Sequence, residues 1–255
     1  MPKITFSYFP LRGARGEAIR FALHVAGADW ENADMTWDQY QAKKASEKDL
    51  AWHNGMPVMI VDGKAYTQSL AQVRQILHAL KHVLCTRVLI DVFFPVKSLS
   101  SLPRFRYWRS LIHGWFMQLR FAGKLSKLYP EDPVAAMAVD EAMDVCQDIL
   151  TKCPQDPDAG VKKTKREEYA AGKMKSMMDL LAQRVGESGS AFMVGGDLTI
   201  ADLVVYFLVK MIREGQFEHV PANYVDAWPQ LAGLEKAVPE HPLVKAYYEK
   251  FPVSA

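Results

Sequence analysis

Polar and apolar positions alternate from Lys3 to Ser7, with Ile4 and Phe6 on one face, and the alternation breaks at Pro10, which predicts a short β-strand. From Glu17 to Val25 the apolar residues Ala18, Phe21, Ala22 and Val25 recur at spacings of three and four, predicting a helix that ends at Gly27. Asp29 to Ala33 reads as a second strand with Trp30 as its one strong β-former. Trp37 to Asp49 is polar with interleaved aromatics (Trp37, Tyr40) and lysines (Lys43, Lys44, Lys48), the pattern of a surface helix and loop. The stretch Asn54 to Ser69 predicts a strand at Val58 to Val61, a type I′ turn at Asp62-Gly63, a strand at Ala65 to Thr67 and a helix start. Beyond it Leu70, Val73, Leu77 and Leu80 share one helical face, with Ile76 beside them, so Ser69 is a candidate N-cap. A helix opening on Gln68-Ser69 offers free N–H groups, an amide and a hydroxyl, which suit a carboxylate or phosphate; capping without a ligand is the other reading. The order predicts a small mixed sheet with helices packed on it.

From 123 to 255 the spacing is helical throughout. Val134, Met137, Ala138, Ala142, Val145 and Ile149 make one stripe; Ala170, Met174, Met177, Leu181 and Val185 make another. Thr199 and Asp202 have capping-box spacing, with aspartate standing for the usual Glu or Gln, ahead of a helix apolar nearly all round and therefore expected in the core. Pro229, Pro239 and Pro242 punctuate short C-terminal helices.

Composition narrows the class. A chain of 255 residues, 49% hydrophobic and 24% charged, can fill one large or two small globular cores. A net charge of +2 argues neither for nor against a nucleic-acid partner. Cys85, Cys146 and Cys153 contain no CxxC pair and are odd in number, so neither a disulfide framework nor a four-ligand zinc site is expected. There is no apolar leader-like run near Met1 and no stretch of transmembrane length, and nothing resembles a phosphate-binding glycine loop. A cytoplasmic, reducing setting without a membrane or nucleic-acid partner is expected.

Residues 81–122 stand apart, with seven Lys/Arg against Asp91 alone and eight aromatics. Pro95, Pro103 and poor periodicity argue against a regular amphipathic helix. An inserted surface loop, a translated retained intron, and a basic–aromatic surface for nucleic acid or anionic lipid are the readings of this composition.

Tyr8 at the end of the first strand, the RG-x-R-x-E-x-x-R run from Arg12 to Arg20, Met56-Pro57, Gln68-Ser69 and Thr199-x-x-Asp202 together resemble the cytosolic glutathione S-transferases. The tyrosine-type, sigma-like class, which includes the haematopoietic prostaglandin D synthases, is nearest. The resemblance covers about four-fifths of the chain. It implies an α/β thioredoxin-like glutathione-binding domain over 1–80, the atypical insertion at 81–122, an all-helical domain over 123–255, and a homodimer. It also implies conjugation of glutathione to small apolar electrophiles, with prostaglandin isomerisation or peroxide reduction by the same thiolate as subordinate possibilities.

By position in these motifs, the resemblance makes Tyr8 the catalytic hydroxyl and Ser7 its rival. A free thiol of pKa about 8.5 is only about 3% thiolate at pH 7, and stabilising it by about 2.7 kcal/mol makes thiolate the majority species. A phenol that remains protonated near neutrality suits that task. Arg15, or Arg12, would be the cation helping to hold the thiolate. Met56 would pair with the glutathione backbone, with Pro57 in the cis form, and Gln68 and Ser69 would take the γ-glutamyl carboxylate. Tyr40 and Lys44 would contact the glycyl end, with Trp37 as the alternative to Tyr40. Asp148 would reach the partner subunit's glutathione amine. Gln147 stands where magnesium-binding relatives carry an acid, leaving Asp144 and Asp148, and no metal is expected. Phe9, Leu11 and Met143 are candidates for the electrophile pocket. The reading from another class is a non-catalytic interaction or structural module on the same fold.

Overall fold

The computed structural model describes residues 2–10, 15–47, 51–52, 55–67 and 115–251. The N-terminal order is β1 (Lys3–Ser7), α1 (Arg15–Val25), β2 (Asp29–Asn32), α2 (Trp37–Ser46), β3 (Val58–Val61) and β4 (Lys64–Thr67). The strands form one sheet in the order β2-β1-β3-β4, with β1–β3 and β3–β4 antiparallel. This is a thioredoxin-like topology, followed among the described residues by helices alone. Positive φ at Asp62 (48°) and Gly63 (81°) gives the β3–β4 hairpin the twist that a two-residue type I′ turn requires. Thr36 and Gln39 form a reciprocal capping box that fixes the start of α2. The helix expected after Ser69 lies outside the described residues.

The helical part comprises α3 (Trp115–Ser126), α4 (Pro133–Lys152), α5 (Ala159–Tyr169), a π turn (Ala170–Met174), α6 (Lys175–Ser188), α7 (Ile200–Arg213), a 3₁₀ turn (Tyr224–Ala227), α8 (Pro229–Glu240) and α9 (Pro242–Lys250). Pro133, Pro229 and Pro242 each open a helix, where their missing N–H costs nothing, and Pro239 falls in the last turn of α8. Helix α3 runs straight across position 122 and buries Phe116, Leu119 and Ala122, so the last part of the 81–122 segment is packed structure. No helix among the described residues is long and apolar enough to cross a membrane.

The described residues divide between two compact units. Met1–Lys3, Leu11–Trp30 and Gln118–Ala255 form one, and Ile4–Pro10 and Glu31–Met117 the other. Helix α1 therefore belongs with the helical residues, where it packs on α7 and α9. Its Glu17 and Arg20 are both 1% exposed and joined at 3.2 Å, and the Tyr247 hydroxyl on α9 donates to the same carboxylate at 2.8 Å. Pairing of this kind is what permits two charges to be buried.

Helix α7 is the axis of the helical unit, buried over most of Ile200 to Ile212 with Tyr206, Lys210 and Met211 half-buried, and contacted by α1, α4 and α8. Its start is held by Asp202, whose side chain has no solvent exposure. One carboxylate oxygen accepts the Met193 N–H at 2.6 Å; the other accepts the Thr199 N–H and hydroxyl, both at 2.7 Å. Gly123 of α3 sits against the same first turn, and a methyl group there would come within 2.8 Å of Ile200 Cγ2. Burial opposes the charge more strongly than these donors support it, so the Asp202 carboxyl is pushed up to about 6.

Asp202→Ala leaves the Met193 and Thr199 N–H groups buried without acceptors, and urea denaturation should show a loss of roughly 2–5 kcal/mol. The raised carboxyl also sets a pH signature. Below about pH 4 both folded and unfolded states hold the proton, and between about 4 and 6 the folded state holds it more tightly, so this group's contribution to stability is lost as pH rises through about 6. The stability difference between wild type and Asp202→Asn should therefore shrink across that window by up to about 3 kcal/mol and level off above pH 7.

Candidate functional site

Strand pairing assembles the centre of the site. Because Ser7 of β1 lies opposite Val58 of β3 in an antiparallel register, the end of β1 meets the start of β3. Tyr8 and Phe9 leave β1 at that edge and pack, half-buried, against a core of Tyr40, Ala51, Trp52, Met56 and Val58. The Met56–Pro57 peptide is cis. The Tyr8 carbonyl accepts the Met35 N–H at 2.9 Å, tying the exit of β1 to the approach to α2. The ring of Tyr8 stacks on Phe6 at 6.3 Å and meets Phe9 at 5.5 Å. Ser7, the rival hydroxyl, is 1% exposed, whereas Tyr8 is only half-buried. Alternation along the strand turns the two side chains to opposite faces.

The two aromatic candidates on α2 separate cleanly. Tyr40 is 4% exposed and donates its hydroxyl to the Trp52 carbonyl at 3.0 Å. Trp37, one turn earlier, is 55% exposed while its ring contacts Phe9 and Tyr40. Lys44 is half-buried on the same helix, and its neighbour Lys43 pairs with Glu47 at 2.8 Å and lies over the Trp52 ring. Thr67, at the end of β4, donates its hydroxyl to the Gly55 carbonyl at 2.9 Å, closing the hairpin against the residues that precede Met56.

Tyr8, Tyr40, Met56 and Pro57 are thus brought together in one unit. Gln68, Ser69, Leu11 and Arg12 lie outside the described residues. Arg15 is the first residue of α1, in the other unit. Asp148 lies in α4, also in that unit, and forms an ion pair with Lys152 one turn on. Near it, Arg120 of α3 binds Asp140 at 2.6 Å and Asp144 at 3.4 Å, and Tyr129 donates to Asp140 at 3.0 Å. Gln147 is buried, with neither amide atom in a hydrogen bond. Among the described residues no three His, Cys, Asp or Glu side chains are grouped to hold a metal ion. Burial pushes the thiols of Cys146 and Cys153 up, so neither is a thiolate nucleophile near neutrality.

Sequence reasoning singled out Arg12 to Arg20 as a motif without finding that Glu17 and Arg20 form a buried pair. Their spacing of three, on one helix face, was the available signal. It also gave no role to Arg120, which lay inside the segment set apart by its composition.

Comparison with known proteins agrees with this architecture. Residues 143–251 match the family model of the glutathione S-transferase C-terminal domain. Along its length the chain is similar to glutathione S-transferase 2 of Manduca sexta, 24% identical over 260 residues and covering 99% of this chain and 98% of that protein. Among solved structures it is similar to monomeric Na-GST-3, a glutathione S-transferase of the hookworm Necator americanus, with a TM-score of 0.65, 18% identity, and coverage of 99% and 98%. It is likewise similar to prostaglandin synthase D of Nilaparvata lugens, with a TM-score of 0.66, 17% identity, and coverage of 99% and 100%. Residues 143–251 thus match a glutathione S-transferase C-terminal domain, and the chain shares with these solved structures the fold of a thioredoxin-like start and a helical remainder.

Proposed function

We propose that the chain is a tyrosine-type, sigma-like glutathione S-transferase that activates the glutathione thiol and adds it to small apolar electrophiles. The observation that carries this reading is the meeting of Tyr8 with Met56 at the edge where β1 and β3 pair. Glutathione lies antiparallel to Met56, whose backbone N–H and carbonyl bind its cysteinyl unit, with Pro57 shaping that edge. The Tyr8 hydroxyl donates to the sulfur and stabilises the thiolate, and the thiol proton passes to solvent. The sulfur then forms a bond to the electrophilic carbon. A halide leaves with its electron pair in a displacement; in a conjugate addition the adjacent carbon takes a proton.

Gln68 and Ser69 hold the γ-glutamyl carboxylate in this proposal. Lys44 serves the glycyl end, with the buried Tyr40, its hydroxyl committed to Trp52, supporting that surface from beneath. Arg15 as the supporting cation and Asp148 as the carboxylate for the partner's glutathione amine rest on motif position, as does the homodimer. The reaction needs a reducing setting rich in glutathione, which is why we place the protein in the cytoplasm. Isomerisation of a prostaglandin endoperoxide is a second use of the same thiolate, favoured by the similarity to the Nilaparvata lugens prostaglandin synthase D.

The test is retention on immobilised glutathione together with conjugation of 1-chloro-2,4-dinitrobenzene. Wild type should bind and turn over, and Tyr8→Phe should bind but lose roughly 100-fold in kcat/KM, the equivalent of about 2.7 kcal/mol. Wild-type binding without turnover of any electrophile would instead identify a non-catalytic module.

A further inference from the structure

Thr67 is the last residue of β4 and stands opposite Val58 in the β3–β4 register. Alternation along the strand leaves Tyr66 39% exposed and turns Thr67 inward, where it is 5% exposed. Valine would fill that place with no polar atom to satisfy, so the hydroxyl is explained by its acceptors. It donates to the Gly55 carbonyl at 2.9 Å and shares its proton with the Pro57 carbonyl at 3.4 Å, the carbonyls on either side of Met56. Gly55 has a φ of 101°, a conformation that glycine adopts freely and other residues rarely do, so its own sterics do little to orient the peptide that follows it. That peptide is planar, and its carbonyl, from Gly55, points opposite to its N–H, which belongs to Met56. Holding the Gly55 carbonyl towards β4 therefore turns the Met56 N–H away from β4. Holding the Pro57 carbonyl restrains the chain on the other side of Met56.

We propose that Thr67 is a positioning residue for glutathione: its hydroxyl clamps the Gly55 and Pro57 carbonyls and so presents the backbone N–H and carbonyl of Met56 in the orientation with which the cysteinyl unit pairs. The inference rests on the transferase reading above and adds to it a residue that does not itself touch the ligand. Backbone groups set in place before binding need not be ordered at that moment, so the effect falls on affinity. The ground state and the transition state pair with Met56 alike, and loss of the clamp therefore weakens both equally and leaves the chemical step alone.

The test is calorimetric binding of glutathione and S-hexylglutathione, with steady-state conjugation of 1-chloro-2,4-dinitrobenzene, for wild type, Thr67→Val and Thr67→Ser. Thr67→Val should weaken both ligands by the same factor, roughly five- to tenfold, and raise KM for glutathione by that factor, while kcat and KM for the electrophile stay within about twofold. Thr67→Ser, which keeps the donor, should restore affinity to within about twofold of wild type. Should Thr67→Val fail to fold, Thr67→Cys, whose thiol is a weak donor, should show the same split between KM and kcat at roughly threefold. Unchanged affinity in the variant would overturn the proposal while leaving the transferase reading in place. So would a fall in kcat with KM unaltered, or a loss that Thr67→Ser does not repair, since Thr67 would then serve the chemistry or the packing of β4. Failure of wild type to bind either ligand would remove the transferase reading, and this inference with it.

Discussion

A buried carboxylate organises the helical unit. Asp202 gathers the Met193 N–H together with the N–H and hydroxyl of Thr199, and so decides where the central helix Ile200–Arg213 begins. That helix is apolar around most of its circumference and could slide or rotate among its neighbours without large loss of buried area. A charge-assisted hydrogen-bond set removes that freedom, because its geometry is directional where apolar packing is not. With the start of α7 fixed, Gly123 of α3 can approach Ile200, and α1, α4 and α8 pack on a surface of defined register. Solvation is sacrificed for this, which is why burial leaves the Asp202 carboxyl near 6 in spite of its donors.

In the other unit the organising constraint is strand register. One residue of slip between β1 and β3 would turn Phe6 out of the core and Ser7 away from Val58, and would carry Tyr8 off the Met56 edge. The buried aromatic floor of Tyr40 and Trp52, joined by the Tyr40 hydroxyl, holds that edge from below. The proposed site thereby falls at a place where regular structure ends, as is usual for sites set on rigid scaffolds.

Much of this was legible in the residues. Alternation over Lys3–Ser7, the Asp62-Gly63 turn, the helical stripes and the Thr199–Asp202 spacing correspond to elements whose local chemistry and tertiary role agree. The start of α3 was not legible, because Trp115, Phe116, Met117, Leu119 and Phe121 are apolar on every side and erase the periodicity. The π turn at Ala170–Met174 leaves no mark in composition; the Tyr224 hydroxyl that accepts its place there, by donating to the Ala170 carbonyl, is far away in sequence. At the proposed site, Tyr8 and Met56 are candidates by motif, and the β1–β3 register brings their stretches together. Trp37 and Tyr40 could not be ranked, since residues three apart share a helix flank and only the position of Trp52 decides which one is buried.

The central claim is that Tyr8 holds glutathione as a thiolate. It is tested most directly by titrating the ultraviolet absorbance of the enzyme-bound thiolate against pH in wild type and Tyr8→Phe. The account predicts a bound thiol in wild type titrating about two units below the free value of about 8.5, and a return towards that value in the variant. A bound thiol that titrates near 8.5 in wild type, or one whose pKa is the same in both proteins, would contradict it.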